Sequence, residues 1–546
     1  MTGNWKPAPG GRLPCNVTAS EQCRKQHALA HRKPLYDDAV KSLMGFQKLE
    51  ISEESKLDYN GTRIMLMKEL LRNIDVTDKD LNKMNVIHVA GTKGKGSTCT
   101  FVESILQHHG VRTGLLTSPH VIENRERVHI NGKPISAELF GNYFWAVYDR
   151  LGKFGNIQDV VPSYFWLLNM LGFYIFKHEK VDAVIVEVGI GGAYDSTNVV
   201  NQPTVCGITS LALEHTDDLG KSMKMIAWHK AGILKRNAPA FVVPQTPECM
   251  SVIQRKAEDI GTVVKVVPSL TDYWNDDDLI DLKLGLPGEH QTTNASLALQ
   301  LSHYWLSRHQ NNTGNRQELT YFNLQGSNSH ALPFQISKLA KKALSESHLL
   351  GRAEKIKCGS VTFYLDGAHT AESIKLAANW FREEAEKEAA LLDVPCEKVL
   401  VFNVSGERDA TSFLKLLQPF NFSGAIFTTN DTSLKKNLFL DETIRPDNCS
   451  EEEEFRKIHQ NLNVWKSMCG GNPTTVENSH VFSNAADALC WLSSHLDEHT
   501  FNRIAPLASS EQIKASSFHG KHVQVFVTGS FRLVGAYLTL LMDSTQ

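Results

Sequence analysis

The chain has 546 residues, enough for two or more domains that each bury a full core. Apolar residues make up 42% and charged residues 21%, with a formal net charge of −3, so composition favours neither nucleic acid nor an anionic membrane surface as a partner. No apolar run approaches the roughly 18–20 residues of a spanning helix, and ten cysteines without a C-x-x-C pair fit reduced thiols in a cytoplasmic compartment better than a disulfide framework.

Residues 1–34 carry six basic side chains against one acidic one, Glu21. That bias is compatible with a mitochondrial presequence, but Pro7, Pro9, Gly10, Gly11 and Pro14 disfavour an amphipathic helix near the start, so a flexible tail is the preferred reading. Helices are expected over Tyr36–Leu49 and Arg63–Ile74. They lead into NVIHVAGTKGKGS, residues 85–97. Val86, Ile87, Val89 and Ala90 suit a buried parallel strand. Gly91, Gly94 and Gly96 allow a close backbone wrap, while Lys93 and Lys95 supply positive charge. Thr98–His109 has helical spacing with Gly110 as its stop. Strand, glycine-rich loop and helix N-terminus together make a phosphate site. The pattern departs from the P-loop signature, since Val89 stands at the first glycine position and Gly96 separates Lys95 from Ser97.

A second strand, Arg112–Thr117, ends at Ser118-Pro119-His120, and in a doubly wound sheet its carboxyl end returns beside the phosphate loop. The Ser118 hydroxyl could ligate Mg²⁺ or could simply begin a turn before proline. Ser163–Phe176 is apolar and short, a buried core helix. The third strand, Val181–Val188, carries Glu187 near its carboxyl end, a carboxylate that must be paired, hydrogen-bonded or metal-bound if buried. A fourth, Thr204–Leu211, delivers His215 to the same crevice, either as a ligand or as a satisfied polar residue. The helix Ser222–Leu234 carries Lys230, which nothing local distinguishes from a surface lysine. Another helix, Thr292–Ser307, holds Asn294.

Residues 308–329 are rich in Asn, Gln, Gly and Ser and read as a polar insert. Beyond Arg352 a second α/β pattern begins, with strands Val361–Leu365, Lys398–Val404, Phe422–Thr429 and Val523–Thr528. Asp366 and His369 follow the first of these, and Ser405 and Arg408 the next. Asp431–Gly471 is charged and is expected to be an irregular surface insert.

The motifs GTKGKGST, TSPH, EVGIGG, EHTDDLG, HKAGI, GEHQTTNA, GRAE and DGAHT, in that order, resemble the folylpolyglutamate synthases of the Mur ligase superfamily. The resemblance runs from about Tyr36 onward, and the insert and KSLMGFQ look more like the eukaryotic members. It implies an α/β chain with an N-terminal P-loop-type parallel sheet domain, residues 35–345, and a smaller C-terminal Rossmann-like domain, residues 346–546. The implied activity is ATP-dependent addition of glutamate to the γ-carboxylate of a reduced folate through an acyl phosphate.

The implied ATP site is Gly91, Thr92, Lys93, Gly94, Lys95, Gly96 and Ser97, joined by Asn294, Arg352, Asp366 and His369. Ser118, Glu187 and His215 are the implied Mg²⁺ ligands, and Lys230 matches a family lysine that is carbamylated. Lys95, Lys230 and His215 are thus the expected catalytic residues, with Ser405 and Arg408 at the glutamate. His229 stands where family members often have Glu or Gln. K⁺ is a further expected ion, the substrates are reduced folate and L-glutamate, and a cytoplasmic and also mitochondrial monomer is expected. Dihydrofolate synthase activity and a nucleotide-switched protein without ligase chemistry are the alternatives.

Overall fold

The computed structural model describes residues 36–46, 59–153, 162–274, 282–310, 329–404, 408–432, 451–509 and 515–542. Two sheets organise these residues. The first has eight strands: β1 (Ile87–Ala90), β2 (Thr113–Leu116), β3 (Val128–Ile130), β4 (Lys133–Pro134), β5 (Ala183–Glu187), β6 (Val205–Ile208), β7 (Ala240–Val242) and β8 (Val264–Val266). Their order is β4-β3-β2-β5-β1-β6-β7-β8. The pairings along β2-β5-β1-β6-β7-β8 are parallel, and the two at the other edge, β2–β3 and β3–β4, are antiparallel. Every residue of β1, β2, β5 and β6 is buried, as continuous apolar runs require when helices cover both faces.

The helix that follows β1 spans Lys95–His108, so it begins inside the glycine loop rather than after it. It buries Phe101, Val102, Ile105 and Leu106 on one face of the sheet beside the helix His290–Gln310. The apolar helix Tyr164–Glu179 fills the other face and is a core helix, as expected. Among the described residues no helix is long and apolar enough to cross a membrane, and the seven described cysteines are free.

The second, smaller sheet contains β9 (Glu354–Cys358), β10 (Val361–Asp366), β11 (Cys396–Phe402), β12 (Gly424–Thr428), β13 (Ser479–Phe482) and β14 (His522–Thr528), in the order β13-β12-β11-β14-β10-β9. It is parallel except for the edge strand β9. Strands β7, β8, β9 and β13 are absent from the sequence reading: the first two and β13 are three or four residues long, and β9 alternates with lysines.

The surface insert expected over Asp431–Gly471 is corrected in part. Residues 433–450 lie outside the described residues, but Glu451–Met468 is an 18-residue helix. Its charged start hid an apolar stripe that buries Ile458 and Trp465 against β12 and its neighbours. Most of the expected insert at 308–329 also lies outside the described residues, and the preceding helix runs on to Gln310. The helix Lys338–Glu346 still belongs to the first body, where Ser104 Oγ donates to Ala343 O at 2.9 Å. The chain then crosses to the second sheet through residues 347–353.

Candidate active site

The carboxyl ends of the central strands of both sheets open onto one cleft of about 2080 Å³. This is where an open α/β sheet places its ligands. At its floor the loop after β1 is held down by main-chain bonds, with Thr92 N and Lys93 N both donating to Ser210 O, at 2.9 and 3.1 Å. Gly94 caps the helix Lys95–His108 in the left-handed region, φ +85°. A Cβ there would also land on the Asn294 side chain, so the position demands glycine twice over. The loop thereby leaves the N–H groups of the first helical turn facing the cleft. Asn294 is itself fixed by donating from Nδ2 to Gln291 Oε1 at 2.9 Å, and Gln291 Nε2 donates to Ser97 Oγ at 3.3 Å. The expected ATP residues of the first half are therefore one connected group.

Lys95 Nζ curls back to Thr92 O at 3.3 Å, while Lys93 Nζ pairs with Glu214 Oε1 at 3.0 Å. Burial alone would raise the Glu214 carboxyl, but Lys93, with His215 and Lys95 behind it, holds it low. Glu214 is a site residue the sequence reading passed over, although it sits next to His215 in EHTDD.

Beside the loop, β5 ends on Glu187, only 5% exposed. Its carboxylate accepts from the Thr117 hydroxyl and from Ser118 N, the latter at 3.1 Å. Thr117 and Ser118 directly follow β2, the neighbour of β5, so sheet register brings TSPH to EVG. His215, after β6, caps a short helix at φ +51°, and burial with the nearby Lys230 and Lys95 holds its imidazole below the ordinary value. Among the described residues no three His, Cys, Asp or Glu side chains cluster as a ready metal cage. The set at the three strand ends is instead one hydroxyl, one carboxylate and one imidazole. Mostly hard donors of this kind suit Mg²⁺, which keeps waters and takes phosphate oxygens for its remaining positions. The buried Glu187, whose hydrogen-bond donors Thr117 and Ser118 are neutral, meets the condition that such a site sets.

Lys230 ends the helix Met223–Lys230 and is 2% exposed, not the surface lysine its local sequence allowed. Burial, reinforced by the Lys95 charge, pushes its ammonium down to about 7. Asp195, another residue without a role in the sequence reading, opposes this effect from the turn after β5. Asp195 is set by Thr197, whose N and Oγ1 donate to Oδ1 at 2.9 and 2.5 Å, and the buried His88 Nε2 meets Thr197 Oγ1 at 3.0 Å.

The second half supplies the opposite wall. Asp366, at the end of β10, accepts from Ala353 N at 3.0 Å and lies 3.9 Å from Arg352 Nη1, while burial holds its carboxyl up. The Arg352 guanidinium stacks on Phe531 at 4.4 Å. His369 is pushed down to about 4 by burial and then by Arg352, Arg408 and Lys93. Lys93 belongs to the phosphate loop and Arg408 to the second sheet, so that one imidazole senses both sides of the cleft. Arg408 lines the same cleft. Ser405 lies outside the described residues.

The chain is 36% identical to human mitochondrial folylpolyglutamate synthase, over 93% of this chain and 92% of that protein. The chain belongs to the folylpolyglutamate synthase family. The Candida albicans member is 34% identical, covering 93% of this chain and 96% of its own, and an Arabidopsis thaliana member is 35% identical, covering 93% and 88%. No family model matches the chain. Among solved structures, the fold matches folylpolyglutamate synthase of Mycobacterium tuberculosis complexed with ADP and AMPPCP, at TM-score 0.62 and 23% identity over 93% of this chain and 100% of that one. It also matches Escherichia coli FolC in complex with DHPP and ADP, at TM-score 0.60 and 22% identity over 93% and 97%. The family assignment agrees with the resemblance read from the ordered motifs, and the two-sheet architecture agrees with the expected fold class.

Proposed function

We propose that the chain is an ATP-dependent amide ligase that adds L-glutamate to the γ-carboxylate of a reduced folate. The observation that carries this reading is the meeting of the phosphate loop with Arg352, Asp366, His369 and Arg408 across one cleft, in a chain of this family. A nucleotide switch needs only the first sheet, whereas joining an acid to an amine needs ATP, acid and amine brought together from two sides. We assign residues 35–345 and 346–546 as the two domains.

In this reading the N–H groups of Gly91–Ser97 and the Lys95 ammonium hold the β- and γ-phosphates, and Asn294, Arg352, Asp366 and His369 close around the nucleotide. Ser118, Glu187 and His215 would hold Mg²⁺, which would offset charge on the phosphates. The folate carboxylate oxygen attacks the γ-phosphorus, giving an acyl phosphate and ADP. The neutral glutamate amine then attacks the acyl carbon and expels phosphate, losing its proton. Arg408 and Ser405 orient that glutamate. No side-chain nucleophile is required, so positioning and electrostatics supply the rate.

A lysine near neutrality has a large share of free amine, the form that adds CO₂ to give a carbamate with loss of one proton. We propose that Lys230 is so modified, its anion then facing the metal site. K⁺ remains an expectation without assigned residues. A monomer is proposed, and since the human relative is named as mitochondrial, both cytosolic and mitochondrial pools are part of the proposal.

The test is incubation of the purified protein with Mg-ATP, tetrahydrofolate and glutamate, with products read by mass spectrometry. A ladder of glutamyl additions, lost in Glu187→Ala and Lys230→Ala, is expected. ATP hydrolysis indifferent to glutamate, without a ladder, would overturn the reading. Dihydropteroate offered as the acceptor separates the dihydrofolate synthase alternative.

A further inference from the structure

The segment between β2 and β3 does more than carry Ser118. Its base is fastened to the first sheet. Thr117 N donates to Arg127 O at 3.0 Å, Arg127 Nε donates to His120 Nδ1 at 2.8 Å, and the Tyr164 hydroxyl donates to Asn124 Oδ1. Its crown is gathered by the carboxylate of Glu126, which accepts from the N–H groups of Val121, Ile122 and Glu123 at 2.7, 3.0 and 2.6 Å.

The tip belongs to the other half of the molecule. Val121 and Ile122 pack into the core of the second sheet. Two glycines make the socket. A Cβ added at Gly351 would stand 3.0 Å from Val121 Cγ2 and 3.6 Å from Phe531 Cδ1. One added at Gly535, in the helix Phe531–Leu541, would fall on the Val121 carbonyl oxygen. Phe531 in turn carries Arg352 on its face and lies 5.5 Å from His369. A single short segment therefore ties the Thr117–Ser118–Glu187 corner of the first sheet to the residues of the second that face the phosphate loop.

We propose that Val121 and Ile122 are positioning residues for ligation: seated against Gly351 and Gly535, they register the two halves so that Ser118 stands at Glu187 while Arg352 and His369 face the nucleotide. This rests on the ligase reading of the cleft. None of these residues touches a reacting atom. They act through Ser118 on one side and through Phe531 and Arg352 on the other. The need for such a device follows from the geometry, because displacing a reacting group by even about 1 Å costs on the order of 100-fold in rate.

The test is Gly535→Ala. Alanine is the better helix former, so the substitution does not weaken the helix itself, yet its methyl occupies the place of the Val121 carbonyl. The expected result is a melting temperature lowered by the misfit of about 1–3 kcal/mol with the protein still folded at assay temperature, a ligation kcat lower by at least about tenfold, and a higher Mg²⁺ concentration for half-maximal rate. A second readout needs no activity: in the protein alone, hydrogen exchange at the amides of Val121, Ile122 and Glu123 becomes faster by about tenfold or more. Val121→Ala, which only trims the plug, moves the same quantities less, and the double variant shows less than the sum of the two because both act on one contact.

Gly535→Ala with wild-type kcat and wild-type exchange overturns the inference. So does full additivity in the double variant. A wild-type protein that makes no glutamyl ladder while Gly535→Ala still speeds exchange at Val121–Glu123 counts against the ligase reading and leaves the coupling between the halves in place.

Discussion

Replacing Lys230 by methionine should stabilise the ligand-free protein while abolishing ligation. The side chain is 2% exposed, and burial together with Lys95 pushes its ammonium from 10.5 down to about 7. That drop amounts to about 5 kcal/mol against the charged form, of which about 4 kcal/mol still applies at pH 7. In the unfolded chain the lysine binds a proton throughout this range, and in the folded chain it progressively does not. Stability from this group therefore rises with pH between about 7 and 10.5, by about 2 kcal/mol from pH 7 to pH 9. Methionine has a similar reach and no charge to desolvate, so Lys230→Met should gain up to about 4 kcal/mol at pH 7 and lose that pH dependence. Urea unfolding of both proteins at pH 7 and pH 9, in buffer stripped of CO₂, reads both effects. A variant less stable than wild type at pH 7, or an unchanged pH slope, would refute the reasoning.

Gly94→Ala places a Cβ against Asn294 at a left-handed φ, and the backbone strain alone costs about 1–2 kcal/mol. Isothermal titration with an ATP analogue should show affinity lower by at least tenfold, with the far-ultraviolet circular dichroism of the wild type retained. Arg408→Ala should raise the glutamate KM by about 10- to 100-fold, as expected for a lost charge-assisted contact of about 1.4–2.7 kcal/mol, with little change in the KM for ATP. Trp465→Ala empties a site that is 1% exposed. It should cost about 3–5 kcal/mol in a chemical unfolding experiment, which would place the helix Glu451–Met468 in the core rather than in a surface insert.

The phosphate loop, the strand-end residues and the second α/β unit were legible because each has a local signature. Gly91, Gly94 and Gly96 can only serve a tight wrap after an apolar strand, and Glu187 stands out as a charge at the end of AVIVE. What the sequence hid depends on tertiary partners. Lys230 reads as an ordinary lysine, and only the packing of its helix against the turn after β5 buries it. Glu214 reads as one more acid in EHTDD until Lys93 reaches it across the loop at 3.0 Å. Thr117 looks like the last residue of a strand, yet the register of β2 on β5 sets its hydroxyl on Glu187. The helix Glu451–Met468 was missed because four glutamates open it, while the residues that bury it, Ile458 and Trp465, are seven apart on one face. The tie between Val121 and Gly535 spans more than 400 positions in sequence, and no local pattern encodes it.

The site residues also show a common electrostatic direction. Burial disfavours charge on Lys230, His369 and His215, and in each case a neighbouring cation adds to it: Lys95 on Lys230, Arg352 with Arg408 and Lys93 on His369, Lys230 with Lys95 on His215. Basic groups that depress one another define a volume where a polyanion is favoured, since each phosphate charge relieves a repulsion that the protein already bears. The same volume is poor for a lone positive amine, so a glutamate amine entering it is driven toward the neutral, nucleophilic form that acyl transfer needs. Asp366 answers to the opposite rule: burial raises its carboxyl, while Arg352 and the N–H groups of Ala353 and Ala368 favour its charged form. The cations, with Arg352 set beside this acid, favour a polyanion from both sheets at once.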